Sequence, residues 1–309
     1  MVHRSTKSSS LKWFLLGIII IATIVFIVCK IILKDNQTNY QSASENAEIT
    51  EENAPPSLIN LQPTIDAWIA TLDSKAGVMI YDLDNQQVVA EHNSEQIFST
   101  ASIYKLFVVY AGYLEIANGN LNPNDILFSS YTVSSCLDLA IRESNSSCAE
   151  SLQAKIGRTK IDQYVNEWGM TDTRVSGLQS TPNDVFKIMQ KFYEHKELSN
   201  ETWAIIADSF LNQPPTSNGL CDGPCNWRQG LPSGFSIAKI YNKVGWEHSA
   251  SSLTLWNVYN DAAIIEFPEQ ENSPARHYII VAMVTNTESS KLSELGQSIE
   301  QAILDSPSN

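Results

Sequence analysis

Three hydrophobic rhythms run along this chain, and each predicts a different kind of structure. Near the start there is no rhythm: Trp13 to Cys29 is 17 residues without a charge, and after Lys30 the run resumes as Ile31, Ile32 and Leu33. With Lys30 snorkelling near one end, residues 13–33 span roughly 30 Å as a helix, enough to cross a bilayer. A cleaved signal peptide would carry a shorter apolar core ending in a small-x-small site, whereas Phe26-Ile27-Val28-Cys29 offers large residues. The pattern therefore predicts an uncleaved single-pass anchor in the plasma membrane. Residues 1–12 form its cytoplasmic tail, and the rest of the chain lies outside the cytoplasm. Residues 34–57 then lose apolar pattern and end in Pro55-Pro56, which reads as an acidic, solvated tether.

From residue 58 onward the other two rhythms alternate. Helical spacing of Ile65, Trp68, Ile69 and Leu72 predicts a helix within Ile59 to Asp73, and residues 76–83 and 87–91 read as a hairpin across Asp84-Asn85. Ser102 to Asn118 is apolar nearly all round, so a buried central helix is expected. Further helices are expected at 132–143, 147–156, 160–168, 182–195 and 201–211. Strand patterns return at 235–243, 252–259, 262–267 and 278–285, before a last helix at 291–304. The fold class is thus α+β, with an antiparallel sheet assembled from N- and C-terminal parts and an all-helical lobe between them. No second low-complexity break or internal repeat interrupts residues 58–307, which read as one domain, expected to be monomeric.

Charge narrows the partners. Arg4, Lys7, Lys12, Lys30 and Lys34 precede the first acid, leaving 15 basic against 34 acidic residues in the remainder. A surface of that sign repels phosphate backbones, and no local basic patch offsets it, so nucleic acid is excluded as a partner.

Candidate chemistry begins with Ser-x-x-Lys, which occurs three times: Ser9/Lys12, Ser102/Lys105 and Ser236/Lys239. Ser9 lies in the short tail. Ser236 falls in an alternating pattern, where residues three apart face opposite sides of a strand. Ser102 opens the buried helix after Ser99 and Thr100, two plausible N-caps, so Lys105 lies one turn on, along the same face. A lysine there takes the serine proton if burial and neighbouring positive charge depress its pKa, and the helix N-terminus suits an oxyanion. The bland alternative is a capping serine with a snorkelling lysine. Two further groups stand at Glu143-Ser144-Asn145-Ser146, between two helices, and at Asn242-Lys243-Val244-Gly245-Trp246, where a strand ends before a turn.

In this order the three groups resemble the Ser-x-x-Lys, Ser-Asp-Asn and Lys-Thr-Gly motifs of the penicillin-recognising serine hydrolases, most closely the class A β-lactamases and their relatives. The resemblance extends over about residues 60–305, through Ala76 to Leu83, Phe98-Ser99-Thr100-Ala101-Ser102, Gly230-Leu231-Pro232 and Asn260 to Ile265. It implies Ser102 as acylated nucleophile, Lys105 as its general base or relay, and Ser144 as the group passing the proton to a leaving nitrogen, helped by Lys243. It also implies an oxyanion hole from the backbone N–H groups of Ser102 and Trp246, and substrate contacts at Ser146, Val244, Gly245 and Trp246. No cofactor is implied. The substrate expected is a β-lactam or a peptidoglycan-stem-like peptide.

Departures from the family pattern qualify this. Ser146 replaces the substrate-binding Asn of the second motif, and Val244 replaces the Thr of the third, leaving Lys243, His248, Ser249 or Ser251 to compensate. The long loop that carries a water-directing glutamate in class A enzymes is missing. Arg174 to Pro182 joins the flanking pieces almost directly, and no Glu occurs between Glu167 and Glu194. Slow hydrolysis of the acyl-enzyme is expected, as in a D,D-peptidase-like penicillin-binding protein; Asp172 or Asp184 are weak substitutes. Other amidase or esterase activity, and a non-catalytic module binding peptidoglycan or protein, remain alternatives. Four cysteines follow the anchor, and disulfides Cys136–Cys148 and Cys221–Cys225 are expected; a zinc site is the poorer reading because neither pair has metal-ligand spacing.

Overall fold

The computed structural model describes residues 56–217, 224–248, 257–270 and 274–306. The anchor at 13–33 and nearly all of the tether lie outside the described residues, as does Cys221. Among the described residues no helix is long and apolar enough to cross a membrane.

Helix α1 (Gln62–Ile69) leads into the hairpin β1 (Ala76–Asp82) and β2 (Gln87–His92). The short strand β3 (Phe98–Ser99) and a 3₁₀ turn, Ala101–Ile103, precede α2 (Tyr104–Ala117). The lobe continues through β4 (Ile126–Phe128), β5 (Tyr131–Thr132), α3 (Val133–Arg142), α4 (Ser146–Ile156) and α5 (Arg158–Glu167). After a 3₁₀ turn at Val175–Gly177 come β6 (Gln179–Ser180), α6 (Pro182–Glu194) and α7 (Asn200–Leu211). The chain then returns to the sheet as β7 (Lys239–His248), β8 (Asn257–Phe267) and β9 (Arg276–Thr285), and closes with α8 (Ser289–Leu304). The five-stranded sheet has the order β2-β1-β9-β8-β7 and is antiparallel throughout.

Strand alternation explains how one sheet serves two layers. Met79, Tyr241, Ile264, Ile279, Val281 and Met283 pack on the helical lobe. Their strand neighbours Val78, Ile80, Ile240, Ile265, Ile280 and Ala282 pack with Trp68 of α1 and Leu292, Leu295 and Ile299 of α8. A sheet covered on both faces needs near-continuous apolar strands, which these are. In the lobe, every residue of α2 from Tyr104 to Glu115 is buried, so the helix is a central post around which α3, α4, α5 and α6 pack.

Several local expectations are corrected. Lys243 to Trp246 lie inside β7, and two further pairs, Glu247 with Val258 and His248 with Asn257, follow them, because the strand stays paired to β8 as far as His248. Within 257–267 the two expected strands are one, β8 running through Asn260-Asp261 without a break. Ser236 precedes β7 and donates its hydroxyl to Glu300 at 2.7 Å, so it is not a strand residue. Ser99 and Thr100 do not cap α2: its start is the 3₁₀ turn, and the Thr100 hydroxyl is buried without a partner.

Candidate active site

Ser102 sits in the 3₁₀ turn that opens α2, directly after Ala101, whose φ of 42° is left-handed. A non-glycine residue there stores strain, which the surroundings must hold. They do so from three sides. Thr100 N donates to Leu178 O at 2.8 Å, and β3 pairs with β6, so the short 174–182 segment is zipped onto the nucleophile turn. Asn260 Nδ2 of β8 donates to Ser99 O at 2.8 Å. Gly245 of β7 lies so close that a Cβ there would stand 2.3 Å from Thr100 O and 2.7 Å from Ile103 Cγ1, so no other residue fits without displacing the turn.

Lys105 follows one turn later and is 0% exposed. Its Nζ lies 2.6 Å from Ser102 Oγ, 2.7 Å from Ser144 O, 3.3 Å from Ser144 Oγ and 3.1 Å from Ser146 Oγ. All are neutral oxygens. A neutral amine has two hydrogens and one lone pair, so it satisfies this set by donating to Ser144 and Ser146 and accepting from the Ser102 hydroxyl. Burial pushes its pKa down to about 7, with the Glu150 charge pulling the other way.

Ser144 occupies the junction between α3 and α4 with a left-handed φ of 57°. The disulfide Cys136–Cys148 ties these two helices on either side of it. Asn145, the middle residue of the triplet, caps α4 by accepting from Cys148 N at 3.0 Å, so its side chain is spent on structure. The Ser144 hydroxyl lies between two amines, with Lys243 Nζ 2.9 Å away on its far side. Lys243 is 1% exposed, and its pKa is held well below the usual lysine range by burial and then by the Lys105 charge, against the attraction of Asp261. No carboxylate forms an ion pair with either lysine among the described residues.

Beneath Lys243 lies a polar layer that reading the sequence missed. Asn242 Nδ2 donates to Asp261 Oδ1 at 3.0 Å, Leu231 N donates to Asp261 Oδ2 at 3.1 Å, and Arg228 Nη1 donates to Asn242 Oδ1 at 3.1 Å. Burial raises the Asp261 carboxyl to about 7 despite these donors. The signal was present as two polar residues, Asn260 and Asp261, in the middle of an apolar strand.

The site opens on two adjoining depressions of about 360 and 500 Å3 that share Ser102, Ser146 and Trp246. The first runs between the 3₁₀ turn, Leu178, Glu150 and Glu247; the second between Ser144, Ser147, Thr216 and Trp227. Ser102, Lys105, Ser144, Ser146 and Lys243 are therefore brought together, with Gly245 and Trp246 beside them. Val244 is not: it is 1% exposed and packs in the cluster beneath the sheet, because it alternates with Lys243 and Gly245 along β7. His248 lies at the exposed end of β7, its Nε2 2.7 Å from the Tyr259 hydroxyl, while Ser249 and Ser251 lie outside the described residues. Asp184 accepts from Asp172 N and the Thr173 hydroxyl and pairs with Lys187, and Asp172 is exposed; neither borders the depressions. Cys225 is disulfide-bonded.

An α+β fold with serine and lysine pairs meeting at the junction of sheet and lobe defines a class of serine acyl-transfer enzymes. The family model described as "Beta-lactamase enzyme family" matches residues 60–306, and the chain belongs to that family as a serine hydrolase of the β-lactamase type. The fold is shared with solved structures at low identity. PBP-A is 19% identical, with a TM-score of 0.66, covering 82% of this chain and 100% of its own. A PBP-A mutant in an acyl-enzyme complex with penicillin G is 18% identical, with a TM-score of 0.64, covering 79% and 96%. A β-lactamase from Chitinophaga pinensis is 14% identical, with a TM-score of 0.64, covering 78% and 98%. No curated protein matches the chain significantly.

Proposed function

We propose that this protein forms an acyl-enzyme on Ser102 with a β-lactam or a cell-wall peptide, on the outer face of a membrane to which residues 13–33 anchor it. The observation that carries the reading is the 2.6 Å approach of a fully buried, uncompensated amine, Lys105 Nζ, to Ser102 Oγ. The neutral amine takes the hydroxyl proton as Oγ attacks the carbonyl carbon. Backbone N–H groups of Ser102 and Trp246 stabilise the oxyanion. The proton then moves from Lys105 to Ser144, 3.3 Å away, and from the Ser144 hydroxyl to the leaving nitrogen, with Lys243 orienting that hydroxyl and favouring an anionic substrate. A histidine has no part in this relay.

Deacylation is slow in this reading. The 174–182 segment carries no carboxylate and is too short to arch over Ser102, its tail being paired to β3. The behaviour expected is that of a penicillin-binding peptidase more than of an efficient lactamase. Intact-protein mass spectrometry of the full chain with penicillin G, sampled over time beside Ser102→Ala, tests this. A persistent adduct absent from the Ala variant is the expected result; no adduct on either protein overturns the reading.

A further inference from the structure

The loop that fails to bring a carboxylate to Ser102 is only one wall of the first depression. Helix α4 lines it too, and carries Glu150 one turn beyond Ser146. Residues four apart share a helix face, and helical side chains lean toward the N-terminus, so the Glu150 carboxylate leans back toward Ser146. Ser146 Oγ is 3.1 Å from Lys105 Nζ, which is 2.6 Å from Ser102 Oγ. Glu150 is therefore the acid whose charge reaches Lys105. Its own carboxylate is exposed and makes no hydrogen bond or ion pair among the described residues. The other acid bordering this depression, Glu247, comes from β7 and exerts no such influence on Lys105.

We infer that Glu150 is the base that activates water for hydrolysis of the Ser102 acyl-enzyme, from a helix rather than from a loop. The inference rests on the acyl-enzyme reading above. Water oxygen bonds to the acyl carbon while one water proton passes to Glu150, and the bond from that carbon to Oγ then breaks, its electron pair returning to Oγ. The proton moves from Glu150 through the Lys105 amine to Oγ, which restores the carboxylate, the amine and the serine and leaves a carboxylic acid product. A base held by one flexible side chain sustains a slow turnover, consistent with the long-lived adduct expected.

The test uses the full chain with penicillin G as probe, following adduct formation and decay by intact mass in wild type, Glu150→Gln, Glu150→Asp and Glu247→Gln. Glu150→Gln acylates no more slowly than wild type, because losing a charge that holds the Lys105 proton leaves more free amine, and its adduct lives about 100-fold longer, the weight of a typical general base. Glu150→Asp gives a lifetime between the two, and Glu247→Gln matches wild type. Equal lifetimes in wild type and Glu150→Gln, or a longer lifetime in Glu247→Gln alone, overturn the assignment while leaving the nucleophile in place. Should the Gln variant misfold and fail to acylate, the Asp variant decides, since a lifetime no longer than wild type overturns the assignment. Absence of any adduct on wild type overturns the Ser102 reading itself, and this inference with it.

Discussion

Lys105 and Glu115 stand near opposite ends of the same buried helix, 0% and 3% exposed, yet they have opposite fates. Glu115 is met by Lys160 Nζ and the Tyr164 hydroxyl, both from α5. Burial pushes its carboxyl up, but these donors outweigh it and hold the pKa below the usual glutamate value. The charge is kept, and it pins α5 to α2. Lys105 is met by neutral oxygens, so nothing repays the desolvation of an ammonium, and its pKa falls to about 7. Burial is common to both ends. What separates a structural charge from a reactive group is whether the fold supplies a counter-charge in contact, and at the Ser102 end it supplies none.

Exchanging the two ends' chemistry gives the largest expected effect. Lys105→Met lowers the acylation rate of Ser102 by penicillin G about 10³-fold, because the proton acceptor is gone. Lys160→Met, which strips the other end of its counter-charge, leaves that rate unchanged. Quench-flow mass spectrometry of both variants checks the contrast, and equal rates for wild type and Lys105→Met would remove the basis for separating the two ends.

A smaller effect is expected in the pH profile. The acceptor is the unprotonated amine, so acylation rises with pH and levels off above a midpoint at about 7. One unit below the midpoint the rate stands about tenfold under its plateau. Rates across neutral pH measure this, and Glu115→Gln leaves the midpoint where it is. A flat profile would mean that Lys105 does not titrate in this range.

The smallest effect concerns stability alone. Glu115→Gln removes a hydrogen-bonded charge and costs about 1–3 kcal/mol at neutral pH. The sign follows from the lowered carboxyl: its contribution is complete above the unfolded-state pKa and is lost as pH falls through the lower folded-state value. Urea unfolding at a series of pH values therefore shows the gap between wild type and variant closing in acid. A gap independent of pH would assign the loss to packing instead.

Much of this site is legible in the amino-acid sequence. Ser102 and Lys105 are three residues apart at the start of an apolar run, and a helix converts that spacing into contact. Ser144 and Lys243 are identified by short motifs whose spacing along the chain is uninformative by itself, since only the fold carries them to the same amine. The position of Ser146 was legible, but not its bond to Lys105. Val244 was misplaced because its motif suggested a cleft residue, whereas β7 continues past it and strand alternation turns its side chain into the core. Glu150 carries no signal in the sequence for a related reason. It belongs to no motif, and its place beside Ser102 depends on α4 packing against the start of α2.

What the amino-acid order by itself determined is whatever depends on local pattern: the strand segments, the buried central helix, the helix-borne Ser102–Lys105 pair and the shortness of the 174–182 segment. These follow from side-chain repeats that need no distant partner. The tertiary structure alone decided which buried charges are compensated, which face of β7 meets the nucleophile turn, and which carboxylate shares a cavity with Ser102. Each of these turns on a few ångströms between elements far apart in the chain. Desolvation and hydrogen bonding respond to those distances, and no pattern along the sequence encodes them.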